Sequence, residues 1–506
     1  MTSTIRFQAH AMHFMQQAAS SSGKRRRLLD ESIDSLASER TVKSCRVAPA
    51  GHGECARLIT TSKAGRREVI LLTLDKPVTI GRNPRECTYV IEDKVVSSVH
   101  CKFYAVLSST GGVLVSCHDN STNGVILNGY KLRRNAAMVM HGDEIEIPNS
   151  QVFKCIHVLK EPREKSNIFE PTPPQSAYKN LSVGKYTIMS HCLGSGSYAS
   201  VHLAFDAVSF RQVACKTIIT KCRGKDDMQK AIKEVNILKK LKHPNICGIL
   251  DVEMNSKAGW LHIFLELCTG GDLFTYTAHR FRLSEAEAKF MTYQLFQAIG
   301  YLHDRSISHR DLKVWMNRSF RRITLTIFQP ENVLLCAPGP FPRVQIADFG
   351  LARTRAYQET MTVCGTVSYL PPEGVLALDN KELAYVGMPA DCWSVGLILY
   401  IMLTGMHPFD YPDGEEQHNQ QYAKSRLSQL SQGSLVNEQV IKMRIIKCIV
   451  EFSAAWDSIP DAKNLTEGLL VRDHTRRMTI QDALRSEWIT RDLDDLVHDY
   501  NERLRN

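Results

Sequence analysis

The 506-residue sequence contains fifteen cysteines but no C-x-x-C pair. Neither a zinc knuckle nor a dithiol redox motif therefore has a basis. The cysteines are scattered, several inside apolar runs such as "VACKTI" and "DCWSV", and read as small buried hydrophobes. Long apolar runs are also missing. The longest, "VGLILYIML" (Val395–Leu403), falls well short of the ~20 residues that a membrane-spanning helix needs. The N-terminus "MTSTIRFQAHAMHFMQQ" has no basic stretch followed by an apolar one, so a secretory signal is not expected and the chain reads as a soluble intracellular protein with no membrane partner. No internal repeat is visible. What is present is a hydrophobic share of 43%, ample for the two to four cores such a length allows. The net charge of +10 permits acidic partners. Its densest run, "KRRR" (Lys24–Arg27), reads as a nuclear-import signal or a solvated charge run. Without aromatic interleaving or a motif, direct nucleic-acid binding is not expected.

The chain divides by texture. Residues 1–54 are rich in Ser, Ala, Gln and Arg without periodicity and read as a flexible basic arm. Residues 55–158 carry short apolar runs ("EVILLTL", "CKFYAVL", "GVLVSC", "DEIEI") between Gly, Asn, Asp and Ser turns, the pattern of an all-β sandwich. Residues 159–183 are polar and proline-rich, a linker. From 184 to 490 strands come first and helical patterns follow, which implies a β-rich lobe ahead of a larger helical one, with 491–506 as a tail. In "AIKEVNILKKLKH" the spacing places Ile232, Val235, Leu238 and Leu241 on one helical stripe.

Several pieces of the second region suit a nucleotide. In "LGSGSYASVHLA", Gly194 and Gly196 allow a turn to approach phosphates closely, with backbone N–H groups facing the oxygens. Lys216 in "VACK" lies on a strand and could reach the α- and β-phosphates, and Glu234 on the next helix is a suitable ion-pair partner. "HRD" (His309–Asp311), "DFG" (Asp348–Gly350), "PPE" (Pro371–Glu373) and "DCWSVG" (Asp391–Gly396) follow in order. This ordered set resembles the protein-kinase family over residues 186–489.

The resemblance implies a two-lobed α+β kinase fold and ATP-dependent phosphorylation of protein Ser/Thr hydroxyls, with Mg²⁺. Asp311 would accept or orient the substrate hydroxyl, and Lys313 would neutralise charge on the moving phosphoryl group. Asn332 and Asp348 would hold the metal. Leu193, Gly194, Gly196, Val201, Ala214, Lys216 and Glu234 would form the nucleotide site. Leu265 would gate its inner pocket, and backbone groups of Glu266 and Cys268 would bond adenine. Glu373 would pair with Arg477. Asp272 and Glu331 would attract a basic residue upstream of the target hydroxyl. Arg310 beside Asp311 implies control by a phosphate between "DFG" and "PPE", with Thr362 the first candidate and Thr360 the second. Thr366 would structure the substrate side of that loop.

In the first region, "IGRN", "SSVH" and "DNSTNGVILNG" stand in order, and resemble the forkhead-associated (FHA) family, whose loops bind phosphothreonine peptides. By that match Arg82 would contact the phosphate, with Ser97, Ser98 and Thr122 adding hydroxyl contacts and Asn123 holding the peptide backbone. His100 would brace the loops. An FHA domain ahead of a Ser/Thr kinase resembles the DNA-damage checkpoint effector kinases. That likeness implies a nuclear protein, also cytoplasmic, that docks on phosphothreonine proteins and self-associates transiently. The arm departs from it, having no Ser-Gln or Thr-Gln pair.

One feature interrupts the pattern. Between Lys313 and Pro330 stand sixteen residues, Val314–Gln329, with three arginines and no acidic residue. Without them the loop reads "HRDLKPENVLL", with Asp311 five positions before the asparagine. The segment corresponds to 48 nucleotides, begins with a Val codon (GT) and ends on a Gln codon that can supply AG, as a translated short intron would. The rival reading is a surface insertion, since doubling a loop costs only about 0.6 kcal/mol. Its two ends would then have to return almost to adjacency. The interruption leaves two expectations: a kinase slowed by the insert, or a phosphopeptide-binding scaffold whose kinase fold no longer turns over.

Overall fold

The computed structural model describes residues 54–505 apart from 63–64, 75, 109–111, 159–180, 196–198, 220–224, 256–258, 313–331, 355–366, 381–382, 384 and 410–437. Gly196, Lys313, the insert, Glu331, Thr360, Thr362 and Thr366 lie outside the described residues, as do the basic arm and most of the linker.

The N-terminal part is all β. Its strands are β1 (Glu54–Thr61), β2 (Arg67–Thr73), β3 (Val78–Gly81), β4 (Tyr89–Val90), β5 (Cys101–Leu107), β6 (Val113–Asp119), β7 (Val125–Leu127), β8 (Tyr130–Leu132), β9 (Ala136–Val139), β10 (Glu144–Ile147) and β11 (Gln151–His157). They form a six-stranded sheet, β2-β1-β11-β10-β7-β8, and a five-stranded sheet, β4-β3-β5-β6-β9. Period-two alternation explains the inside. In β5, Cys101, Phe103 and Ala105 are buried while Lys102 and Tyr104 are less so. Tyr89 of one sheet stands edge-on to Phe153 of the other, ring centroids 5.7 Å apart. The β7–β8 hairpin turns on Asn128-Gly129, both with positive φ (48° and 87°), as a two-residue turn of this kind requires.

The C-terminal part begins with β12 (Leu181–Val183), β13 (Tyr186–Ser195), β14 (Ser200–Asp206), β15 (Arg211–Ile219), helix α1 (Lys225–Leu238), β16 (Ile249–Asn255) and β17 (Trp260–Leu265). The strands make one sheet in the order β12-β13-β14-β15-β17-β16. Helix α1 lies on it through Ala231 and Val235, packed with Ile218, Leu261 and Ile263. The expected stripe is corrected at one of its four positions. Val235, Leu238 and Leu241 are buried, but Ile232 is 40% exposed because the smaller Ala231 takes the contact with the sheet.

The helical lobe follows: α2 (Leu273–Arg280), α3 (Glu285–His303), β18 (Ile307–Ser308), β19 (Val333–Leu335), β20 (Val344–Ile346), β21 (Arg353–Thr354), α4 (Pro372–Asp379), α5 (Gly387–Thr404), α6 (Glu438–Lys447), α7 (Pro460–Leu469), α8 (Ile480–Leu484), α9 (Glu487–Thr490) and α10 (Leu493–Arg505). Helix α3 starts at Ser284, whose hydroxyl accepts the Glu287 N–H at 3.3 Å. Helix α5 is long and apolar enough to cross a bilayer by length and composition, unlike the run read from the sequence. It is nevertheless the core of this lobe, with Trp393, Val395, Leu397, Ile398 and Leu399 buried. It ends at Gly405, φ 72°, where a Cβ would lie 2.0 Å from the Phe281 carbonyl oxygen. The twelve described cysteines are all free and none is exposed, in keeping with small hydrophobes.

Candidate active site

The antiparallel register builds one wall of the site. Val201 stands opposite Lys216, and Ala214 opposite Leu265. Side chains two apart on β15 share a face, so Val201, Ala214, Lys216 and Leu265 line the same side of the sheet. Gly194 stands opposite Val201, with Leu193 beside it on β13. Six of the seven residues expected at the nucleotide are thereby placed around one surface, Glu234 facing it from α1.

Lys216 Nζ lies 2.7 Å from Glu234 Oε1 and 3.1 Å from Asp348 Oδ1. Burial works against the charge of Lys216, but the two carboxylates outweigh it and hold its pKa above the ordinary value. Burial raises the Glu234 pKa despite Lys216. For Asp348, burial is overcome by Lys216 and by the Gly350 N–H, so its pKa is lowered. Two carboxyl groups thus meet one ammonium in a single cluster. Asp348 sits at φ 57°, a conformation that costs a non-glycine residue energy and aims its carboxylate.

On the segment paired with the run that leads into Asp348, Asn332 Nδ2 donates to the Asp311 carbonyl at 2.6 Å and to Asp311 Oδ2 at 3.0 Å. The two ends of the interrupted loop therefore do return to one another, which answers the geometric objection to a surface insertion at these two residues. Asn332 is fully buried, yet its Oδ1 has no hydrogen-bond partner among the described residues. Asn332 O accepts the Ala347 N–H at 2.8 Å, so this orphan amide oxygen and the Asp348 carboxylate stand on adjoining segments, and their chemistry suits a hard divalent cation. The Cys268 backbone N–H likewise makes no hydrogen bond among the described residues, and is available to a ligand.

A brace around "HRD" was not read from the sequence. The Asp391 carboxylate, 1% exposed, accepts the backbone N–H groups of His309 (2.9 Å) and Arg310 (2.8 Å) and contacts His303 Nε2 at 3.1 Å. His309 Nε2 meets the Ala347 carbonyl at 3.0 Å, one residue before Asp348. Arg310 takes φ 69° and donates to the Tyr385 hydroxyl at 2.9 Å. The "DCWSVG" run carried the signal for Asp391 without revealing what it holds. Asp272 corrects an expectation. It is 5% exposed and caps α2, accepting from the Thr275 N–H (2.7 Å) and hydroxyl (2.8 Å), so it cannot attract a substrate's basic residue.

Arg477 and Glu373 form the expected pair, with NH1–Oε1 2.8 Å and NH2–Oε2 2.9 Å. The arginine side chain is fully buried and also donates to Pro389 and Val471 carbonyls. Replacing Glu373 with Gln leaves that cation under-compensated. The expected result is a loss of about 3–5 kcal/mol in unfolding free energy, read by urea denaturation.

In the β part, the Arg82 N–H donates to Ser97 O (2.9 Å) and the Asn83 N–H to Ser98 O (3.0 Å), while Ser97 Oγ accepts the Thr122 N–H at 3.2 Å. Asn123 Nδ2 donates to Val95 O at 2.9 Å, so its amide nitrogen ties two loops together. These contacts gather Arg82, Ser97, Ser98, Thr122 and Asn123 on neighbouring loops, with Arg82, Ser98 and Thr122 exposed. Gly81 permits the approach: a Cβ there would lie 2.3 Å from Ser98 O. His100 is buried beneath, bonded to the Ser97 N–H and Gly124 O, and burial lowers its pKa so the ring stays neutral. It is a brace, as expected.

Residues 187–489 match the protein kinase domain family, and residues 78–148 match the FHA domain family. Among curated proteins, the chain is similar to the probable serine/threonine-protein kinase fhkC of Dictyostelium discoideum, 31% identical over 82% of this chain and 61% of that one. It is also similar to the meiosis-specific serine/threonine-protein kinase MEK1 of Saccharomyces cerevisiae, 29% identical over 84% of this chain and 83% of that one. The DNA damage response protein kinase DUN1 of the same yeast is 28% identical over 87% of this chain and 88% of that one.

Proposed function

Since the chain belongs to the FHA-domain-containing protein serine/threonine kinases, we propose that it transfers the ATP γ-phosphoryl group to protein Ser/Thr hydroxyls in nuclear checkpoint signalling. The observation that carries this reading is the meeting of Lys216, Glu234 and Asp348 in one ion-paired group, with Asp311 and Asn332 bonded to each other on a segment tied to the run before Asp348 by the Ala347 N–H to Asn332 O bond (2.8 Å). The similarity to damage-response and meiotic kinases, by their names, supports the checkpoint assignment. Nothing in the comparisons favours a scaffold that has lost turnover.

Phosphoryl transfer asks the protein mainly for positioning and charge. Lys216, held by Glu234, faces the α- and β-phosphates. Asp311 accepts the hydrogen bond of the incoming hydroxyl and turns its oxygen toward the γ-phosphorus, and the Asn332 amide fixes the rotamer of Asp311. Asp348 and Asn332 would hold Mg²⁺, which when bound neutralises the β- and γ-oxygens. Lys313 completes the charge cover, and Thr362 or Thr360 carries the activating phosphate that Arg310 receives. With Asp272 occupied as a cap, preference for an upstream basic residue falls to Glu331. The test is Mg-ATP-dependent phosphorylation of a Ser/Thr peptide with basic residues upstream. Absence of transfer from every form of the chain would refute the reading.

The FHA loops dock phosphothreonine proteins, and such docking also brings two chains together transiently. Arg82 is the one cation in the set, and a charge-assisted bond to phosphate contributes roughly 1.5–3 kcal/mol. Arg82→Ala should therefore weaken phosphothreonine-peptide binding by about ten- to a hundredfold, measured by fluorescence polarisation against the unphosphorylated peptide, with kinase turnover on a free peptide unchanged.

A further inference from the structure

Gln345 lies on β20, three residues before Asp348, and is 1% exposed. A buried amide with two donor hydrogens and an acceptor oxygen demands partners. Nε2 donates to Glu266 Oε2 at 2.6 Å and, more weakly, to the Pro244 carbonyl at 3.4 Å. Oε1 accepts from Cys268 Sγ at 3.2 Å. Glu266 and Cys268 are the two positions whose backbone groups face adenine, so one side chain grips both of them. The rest of that segment is held by main-chain bonds: Glu266 N–H to Gly248 O (3.0 Å), Thr269 N–H to Cys336 O (3.0 Å) and Gly270 N–H to Leu335 O (2.9 Å). Between residues 266 and 269 the Gln345 amide is the one group that bonds the side chains of both Glu266 and Cys268 among the described residues, beside the Thr269 hydroxyl to Cys336 O bond (3.2 Å), the thiol contact between Cys268 and Cys336, and the weak Cys247 thiol contact to Glu266 O at 3.6 Å.

We propose that Gln345 is a positioning residue for ATP: it sets the spacing and orientation of the two adenine-facing backbone groups through their side chains, without touching the nucleotide. This rests on the reading of Glu266 and Cys268 as the adenine contacts. The amide is suited to the task because it donates to a carboxylate and accepts from a thiol at once, which neither Leu nor Lys can do. It also links the adenine end of the cleft to β20, the strand that leads into Asp348 at the phosphate end.

The test is ADP binding by calorimetry together with ATP kinetics, on the full chain. Gln345→Leu should raise the Kd for ADP and the KM for ATP by about tenfold, with kcat within about twofold of the parent. Gln345→Glu should bind ADP normally at low pH, where the new carboxyl is protonated and donates to Glu266, and lose affinity as pH rises and the two carboxylates repel. Combining it with Glu266→Gln restores an amide-carboxylate pair with the roles exchanged, and should restore affinity at high pH. Unchanged ADP affinity in Gln345→Leu, or a loss that the exchanged pair does not repair, overturns the role given to Gln345. A parent chain that binds no ADP overturns instead the ATP-site reading beneath it.

Discussion

Asp311→Asn is expected to lower phosphoryl transfer to a peptide by roughly 10²–10⁴-fold, the span that a positioned acid or base contributes. The substitution keeps shape and volume. The Asp311 carbonyl still accepts from Asn332 Nδ2, as it does at 2.6 Å, and the loop remains tied to Asp391 through His309 and Arg310. What is lost is the carboxylate oxygen that, in the proposed mechanism, accepts the hydrogen bond of the substrate hydroxyl. The fall should therefore appear in kcat, with the KM for ATP close to the parent value, because Lys216, Glu234 and Asp348 form a separate group. Steady-state kinetics with varied ATP separates the two. A matching rise in the KM for ATP would mean that Asp311 acts through nucleotide binding.

Deleting Val314–Gln329 is the second large effect. The deletion restores "HRDLKPENVLL" and places Lys313 directly before Pro330. Asp311 and Asn332 already meet across the interruption, so their pairing does not depend on removing it. Lys313 is different. In the shorter form it is followed directly by Pro330, and in this one by sixteen added residues, three of them arginine. A displacement of about 1 Å at such a group can cost on the order of a hundredfold in rate. The shorter form is thus expected to turn over about a hundredfold faster, with ADP affinity unchanged. Equal rates would show that the loop tolerates the insert. Sequencing the transcript across codons 309–335 tests its origin, since a message lacking those 48 nucleotides should be found if the segment is an intron.

What could be read in advance, and what could not, follows from how local each signal is. Lys216, Glu234, Asp348 and the glycines sit in short ordered runs whose chemistry is legible from residue type and order; strand register then brings Gly194 and Lys216 to Val201, and Glu234 and Asp348 reach Lys216 from α1 and from the loop after β20. Asp272 misled because the resemblance gave it a role that needs an open carboxylate, whereas its two bonds to Thr275 are a helix cap visible only once α2 is known to begin at Leu273. Ile232 misled because a helical stripe fixes the period but not which neighbour, Ala231 or Ile232, meets the sheet. Gln345 and Asp391 act through partners 79 and 82 residues away in sequence, and no spacing rule carries such a pairing. The same holds for Asn332 and Asp311, 21 residues apart here, whose contact the interrupted sequence argued against.

The central claim is that Asp311 and Asn332 still form one catalytic centre with Lys216 and Asp348. Transfer of the γ-phosphoryl group from Mg-ATP to a Ser/Thr peptide, measured side by side for the full chain, the form lacking 314–329 and the Asp311→Asn version of each, tests it directly. The account expects transfer by both parents, faster in the shorter, and its loss on Asp311→Asn in both. Transfer that survives Asp311→Asn, or two parents that bind ADP but transfer nothing, would contradict it.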